Sequence, residues 1–130
     1  MGFKLKRNIM KGGIVRDKSL QFAIRVVKLF KYLKRERKEF VMSNQILRSG
    51  TSIGAMIREA EFAESKSDFI HKLAIAQKEC NETLYWLELL QNTDYLSKEV
   101  FDSLNYDAVE LMKLITSSIK TAKKSLNTKH

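Results

Sequence analysis

Proline is absent from all 130 residues of this chain, and glycine occurs only five times. A β-protein of this length needs turn punctuation every ten or so residues, about where its short strands end. A chain without that punctuation is built from long helices joined by few turns. Hydrophobic residues make up 44% and charged residues 30%. That balance, at this length, supplies one core in one domain.

Apolar spacing places four helices. The first is predicted over about 18–38. Stepping 100° per residue, Leu20, Ala23, Val26, Val27, Phe30 and Leu33 fall on one broad face. The second is predicted over about 44–63, with Ser43 or Asn44 as cap and a core stripe of Ile46, Ile53, Ile57 and Ala60. Gly50 and Gly54 share a face of it. A helix-interior glycine costs up to ~1 kcal/mol relative to alanine, so a neighbouring backbone is expected to come close there.

The third is predicted over about 67–92, capped by Ser65 or Ser67. Ile70, Leu73, Gln77, Cys80, Leu84, Leu87 and Gln91 form a heptad seam, and Phe69, Ala76, Thr83 and Leu90 recur on the adjacent face. From Leu84 to Leu90 nearly every direction is apolar, which implies deep burial or contact with another subunit. The fourth runs from Ser97 to about Leu126 along Phe101, Leu104, Ala108, Leu111, Ile115, Ser118 and Ala122. Four helices with short loops predict an all-α, antiparallel up-down-up-down four-helix bundle over 17–126. A basic flexible arm at 1–16 and a polar tail at 127–130 flank it.

Charge is unevenly spread. The chain carries 24 Lys+Arg against 15 Asp+Glu, net +9. Residues 1–40 hold 13 basic and 3 acidic side chains, so the positive field belongs to the N-terminal third. Such a field favours polyanions. Arg25, Lys28, Tyr32 and Arg35 lie opposite the apolar face of the first helix, with Lys31 beside them. A line of cations on one helix face can meet successive phosphates, and Tyr32 can stack on an unpaired base. Lys4, Lys6, Arg7 and Lys11 of the arm extend the basic set. The bland counterpart of such a stripe is a solvated helix face.

Several chemistries are set aside. Asp68-x-x-His71 is one carboxylate–imidazole pair where a di-metal bundle needs two Glu-x-x-His pairs and two further carboxylates, so capping is expected instead. With two histidines in the chain, no catalytic constellation forms, and an enzyme is not expected. Gly50-x-x-x-Gly54 lacks the Gly-Lys-Ser/Thr of a phosphate loop. The lone Cys80 is read as a small core residue compatible with a reducing, cytoplasmic setting. No cofactor is called for. No apolar run approaches the ~20 residues that span a bilayer, so no membrane partner is expected.

The stretch Gln45-Ile46-Leu47-Arg48-Ser49-Gly50-Thr51-Ser52-Ile53-Gly54-Ala55, then Ile57-Arg58-Glu59-Ala60, is distinctive. So are Ser67-Asp68-Phe69-Ile70-His71-Lys72-Leu73-Ala74-Ile75-Ala76 and Tyr85-Trp86-Leu87-Glu88-Leu89-Leu90. These residues resemble the four-helix-bundle proteins of intervening sequences in bacterial large-subunit ribosomal RNA genes, over roughly residues 16–115. The resemblance implies a left-handed bundle and a homopentameric ring. A related group of bundles, accessory proteins of diversity-generating retroelements, binds nucleic acid and a reverse transcriptase. The resemblance also draws attention to Arg48 and Glu59, with Glu79 and Glu82 facing them, as a buried polar network or a subunit contact. Met56 stands where the family pattern usually has Asn.

Two functions are therefore expected. The first is a non-enzymatic, homo-oligomeric bundle that binds nucleic acid, RNA ahead of DNA, as an accessory factor of a nucleoprotein. The second is an oligomeric scaffold for another protein, with no nucleic-acid role.

Overall fold

The computed structural model describes residues 13–127, so Lys4, Lys6, Arg7 and Lys11 of the expected arm lie outside the described residues. Four helices account for nearly all of it: α1 (Ile14–Arg35), α2 (Met42–Glu61), α3 (Lys66–Asn92) and α4 (Lys98–Asn127). No strand occurs among the described residues. Each helix packs on the next in sequence, and α4 returns to α1 through a slighter contact, closing a four-helix bundle.

All four helices bury a stripe whose members alternate at spacings of three and four. In α1 it is Val15, Ser19, Phe22, Val26, Leu29 and Leu33, and in α3 it is Phe69, Leu73, Ala76, Cys80, Thr83, Leu87 and Leu90. In α4, Leu104, Ala108, Leu111, Ile115, Ser118 and Ala122 are buried as expected, while Phe101 only leans on the core. The expected face of α1 is corrected: Leu20 is exposed and Phe22 and Leu29 are buried. The helix begins at Ile14, not Lys18, so Val15 and Ser19 belong to the stripe and turn it. The α3 seam is likewise shifted. Leu73, Cys80 and Leu87 are central, but Phe69, Ala76, Thr83 and Leu90 complete the seam, and Ile70, Gln77, Leu84 and Gln91 sit on its edge.

The small residues of α2 do admit a neighbour. A Cβ on Gly50 would lie 2.8 and 2.9 Å from the two methyls of Val26, and one on Gly54 would lie 3.3 Å from Ser19 Oγ. Thus α1 presses directly on the α2 backbone.

Caps define the ends. Ser65 is the N-cap of α3: its Oγ accepts from Asp68 N–H at 3.0 Å, and Asp68 Oδ2 accepts from Glu64 N–H, just before the cap, at 3.1 Å. At α2 the expected cap gives way to another. Ser43 and Asn44 lie inside the helix, and the carboxylate of Glu39 accepts from Val41, Met42 and Ser43 N–H at 3.2, 3.1 and 2.7 Å. Ser43 Oγ donates back to the Glu39 carbonyl at 2.9 Å. A negative charge at a helix N-terminus is favoured by the exposed amide donors and the helix dipole. Among the described residues every buried side-chain polar atom has a partner. Cys80 is buried, and desolvation of the thiolate pushes its pKa up to about 12, which fits a packing role. No helix among the described residues is long and apolar enough to cross a membrane.

Candidate nucleic-acid interface

The basic stripe divides into two parts. From the start of α1 to its middle the cations are paired: Arg16 Nε reaches Glu61 of α2 at 3.3 Å, and Lys18 Nζ and Arg25 Nη1 reach Glu110 and Asp107 of α4 at 3.1 and 2.7 Å. Farther along, Lys28, Lys31 and Arg35 are exposed and have no ion-pair partner among the described residues. The free charge is therefore gathered toward the C-terminal end of α1.

There the stripe borders a groove of about 470 Å³ between α1 and the start of α4. Arg25, Lys28 and Tyr32 form one wall, at spacings of three and four that put them on one face of α1. Tyr95, Ser97 and Val100 form the other, and Leu29, Leu96 and Leu104 line its depth. All three leucines are buried, whereas Tyr32 is 43% exposed. Among the described residues no acidic side chain lines the groove. Lys31 and Arg35 lie about 100° and 60° round α1 from Tyr32 on the side away from Leu29, so they flank the opening rather than line it.

The far wall is held by Arg37, from the α1–α2 connection. Its guanidinium donates to the carbonyls of Tyr95 at 3.1 Å and Asp94 at 3.0 Å, and lies over the Tyr95 ring at 5.0 Å. The turn itself closes α3 in a Schellman motif: Tyr95 N–H donates to Leu90 O at 2.9 Å and Asp94 N–H to Gln91 O at 3.2 Å. Asp94 supplies the left-handed backbone, with φ 68°. Tyr95, Ser97, Val100 and Arg37 were not picked out by the sequence. They come from the α1–α2 connection and from the turn and first residues of α4 nearly 60 residues later, and no local spacing signals that pairing.

The second set of expected residues is only partly brought together. Arg48 donates to Glu79 at 3.0 Å and to Glu82 at 2.5 Å, bridging α2 and α3. Glu59 is elsewhere, paired with Lys72 at 3.0 Å. The cluster is at the surface, with the Arg48 side chain 49% exposed, not buried as expected. Surface pairs contribute little individually, about 0–1 kcal/mol. Trp86 Nε1 also donates to Glu82 at 2.9 Å, and Tyr85 packs edge-on against Trp86 while remaining exposed. The Leu84–Leu90 segment is thus buried only at Leu87 and Leu90. His71 is exposed, and Asp68 is committed to the α3 cap.

The Trp86 and Arg48 donors hold the Glu82 carboxyl below the usual glutamate range, with Trp86 the larger cause. A depressed folded-state pKa contributes stability that is present above the unfolded pKa and lost as pH falls through the folded one. Trp86 is the single tryptophan and reports this directly. Its emission should stay constant as pH falls through the ordinary glutamate range and change only below it. Glu82→Gln should abolish that step, and Arg48→Met should move it up only in part.

The chain is thus an all-α four-helix bundle. It is matched by the family model of the 23S rRNA-intervening sequence proteins over residues 12–117, and the chain belongs to that family. It is also similar to a crystal structure of a protein with unknown function from the S23 ribosomal protein family of Bacteroides thetaiotaomicron VPI-5482. The two are 62% identical, with a TM-score of 0.84, over 85% of this chain and 99% of that one. None of the curated proteins compared is similar to the chain.

Proposed function

We propose that this protein is a non-enzymatic, cytoplasmic, homo-oligomeric bundle that binds nucleic acid, RNA ahead of DNA, through the basic face of α1. The observation that carries this reading is the set of unpaired cations Lys28, Lys31 and Arg35 beside the groove. Cations already neutralised by carboxylates, such as Lys18 and Arg25, have less to gain from phosphate. Free ones release condensed counterions when they meet it. The bundle is read as up-down-up-down: Arg48 meets Glu79 and Glu82 while Glu59 meets Lys72, which suits antiparallel α2 and α3. A seven-residue buried repeat on each helix suits a left-handed supercoil. The family resemblance is what supports a reading of five subunits, and light scattering tests that number. A ring repeats the basic face and multiplies weak contacts through avidity.

Gel shifts of RNA against salt test the binding. Affinity should fall with log salt at a slope of about −0.7 to −0.9 per phosphate contacted. Reversing Lys28, Lys31 and Arg35 to Glu together should remove retardation and leave the helical circular dichroism unchanged. Absence of retardation of structured RNA and of single strands at low salt would overturn the reading. Partners captured equally by the charge-reversed chain, and resistant to nuclease, would mark a protein scaffold instead.

A further inference from the structure

The groove between α1 and α4 is a different kind of surface from the stripe beside it. Its depth is aliphatic, from Leu29, Leu96 and Leu104, and its walls carry two tyrosines. A surface that only followed a phosphate backbone would need neither. Its volume of about 470 Å³ falls within the range of small-ligand sites, roughly 300–1,000 Å³. The rim is cationic, with Lys28 unpaired and Arg25 half engaged by Asp107. Ser97 and the two phenols supply hydroxyls that can donate or accept. Arg37 covers one face of Tyr95 and fixes the turn through two carbonyls, so this wall is built before any ligand arrives.

We propose that this groove receives one unpaired nucleotide of a bound RNA, its base between Tyr32 and Tyr95 over the leucines and its phosphate at Lys28. The proposal rests on the nucleic-acid reading above and specifies the strand state. In a duplex each base face is covered by its neighbours, so the apolar depth of the groove has nothing to contact. A single strand, loop or bulge can turn a base outward, and stacking on tyrosine is tolerant of base identity. The charge match favours a nucleotide over an apolar peptide or an acyl chain, which would leave Lys28 without a partner at the rim. Lys31 and Arg35, flanking the opening, would contact the adjoining phosphates whatever the strand state.

The test compares short labelled RNA of one sequence as a single strand and as a duplex, by fluorescence anisotropy at low salt. The wild-type chain should favour the single strand by about tenfold or more. Tyr32→Leu removes the aromatic wall at a half-exposed position, and Val100→Trp fills the groove from α4. Both should bring the single-strand-to-duplex ratio close to one. The pair Lys31→Glu and Arg35→Glu should weaken both forms together and keep the ratio. Thermal melts of each variant confirm the fold. A wild-type ratio near one, or a ratio that survives both Tyr32→Leu and Val100→Trp, overturns the nucleotide site and leaves the basic stripe standing. Failure of both RNAs to bind overturns both the stripe and the site.

Discussion

Replacing Gly50 by leucine is expected to destabilise the bundle by about 3 kcal/mol, the upper part of the usual range for overpacking a closed core. A Cβ alone would sit 2.8 and 2.9 Å from the Val26 methyls, and Val26 is fully buried. Valine in a helix has one strongly preferred rotamer, so it cannot swing aside as a longer chain would. The backbones of α1 and α2 would have to part. Gly50→Ala should also destabilise, by about 1 kcal/mol, even though alanine gains up to ~1 kcal/mol in helix propensity. Its sign therefore separates packing from propensity. Combining Gly50→Ala with Val26→Ala should cost less than the two single changes together, because each relieves the other's defect. Urea unfolding of the four chains measures the coupling, and additive costs would refute the close contact as the cause.

Removing the Glu39 carboxylate should be the second large effect. Glu39→Ala leaves three backbone donors at the start of α2 without their acceptor, and Ser43 N–H is buried. Loss of a cap costs ~1 kcal/mol, and a buried unsatisfied donor adds about 1–3 kcal/mol. A total near 2–3 kcal/mol is expected. Glu39→Gln keeps one carbonyl acceptor and should lose roughly half as much. Chemical denaturation reads both, and amide exchange at Met42 and Ser43 should accelerate in Glu39→Ala more than exchange at the middle of α2. Equal stability of Glu39→Ala and the parent chain would show that water replaces the cap.

Why Glu39 was not legible is physical. Cap rules look to a short polar side chain at the helix boundary, which singles out Ser43 and Asn44. A glutamate placed several residues earlier does the same work only because the chain between folds back, and that path is not encoded in spacing. The four helices themselves were legible, because a proline-free chain with apolar residues three and four apart has few alternatives. α4 was read nearly residue for residue, since one apolar stripe dominates it. α1 was not, because apolar residues surround it: Leu20 and Ile24 are 44% and 41% exposed, while Phe22 and Leu29 are buried. Only Val15 and Ser19, assigned to the arm or passed over, fix which stripe wins.

The glycine stripe was legible as a close approach, although only the fold identifies Val26 and Ser19 as the neighbours. Of the groove, the α1 wall of Arg25, Lys28 and Tyr32 was legible as a basic face with an aromatic in it. The opposite wall was not. Tyr95 read as part of a turn, and Arg37 as the end of a helix. Their union depends on two connections meeting at one end of the bundle, which is a property of the closed fold.

That closure also bears on the order in which the molecule comes apart. Contacts between successive helices join residues near in sequence, but the α1–α4 seam joins the first helix to the last and is the slightest of the four. Closing it costs the most chain entropy and returns the least packing. The seam is then the last to zip on folding and the first to breathe in the native state. Amide protection along it should report a sub-global opening well below the free energy of full unfolding. The proposed nucleotide groove lies in this same seam. A ligand seated there would act as a rivet between the first and last helices, raising the whole molecule's resistance to unfolding by RT ln(1 + L/Kd), where L is its free concentration, an amount that grows as that concentration rises.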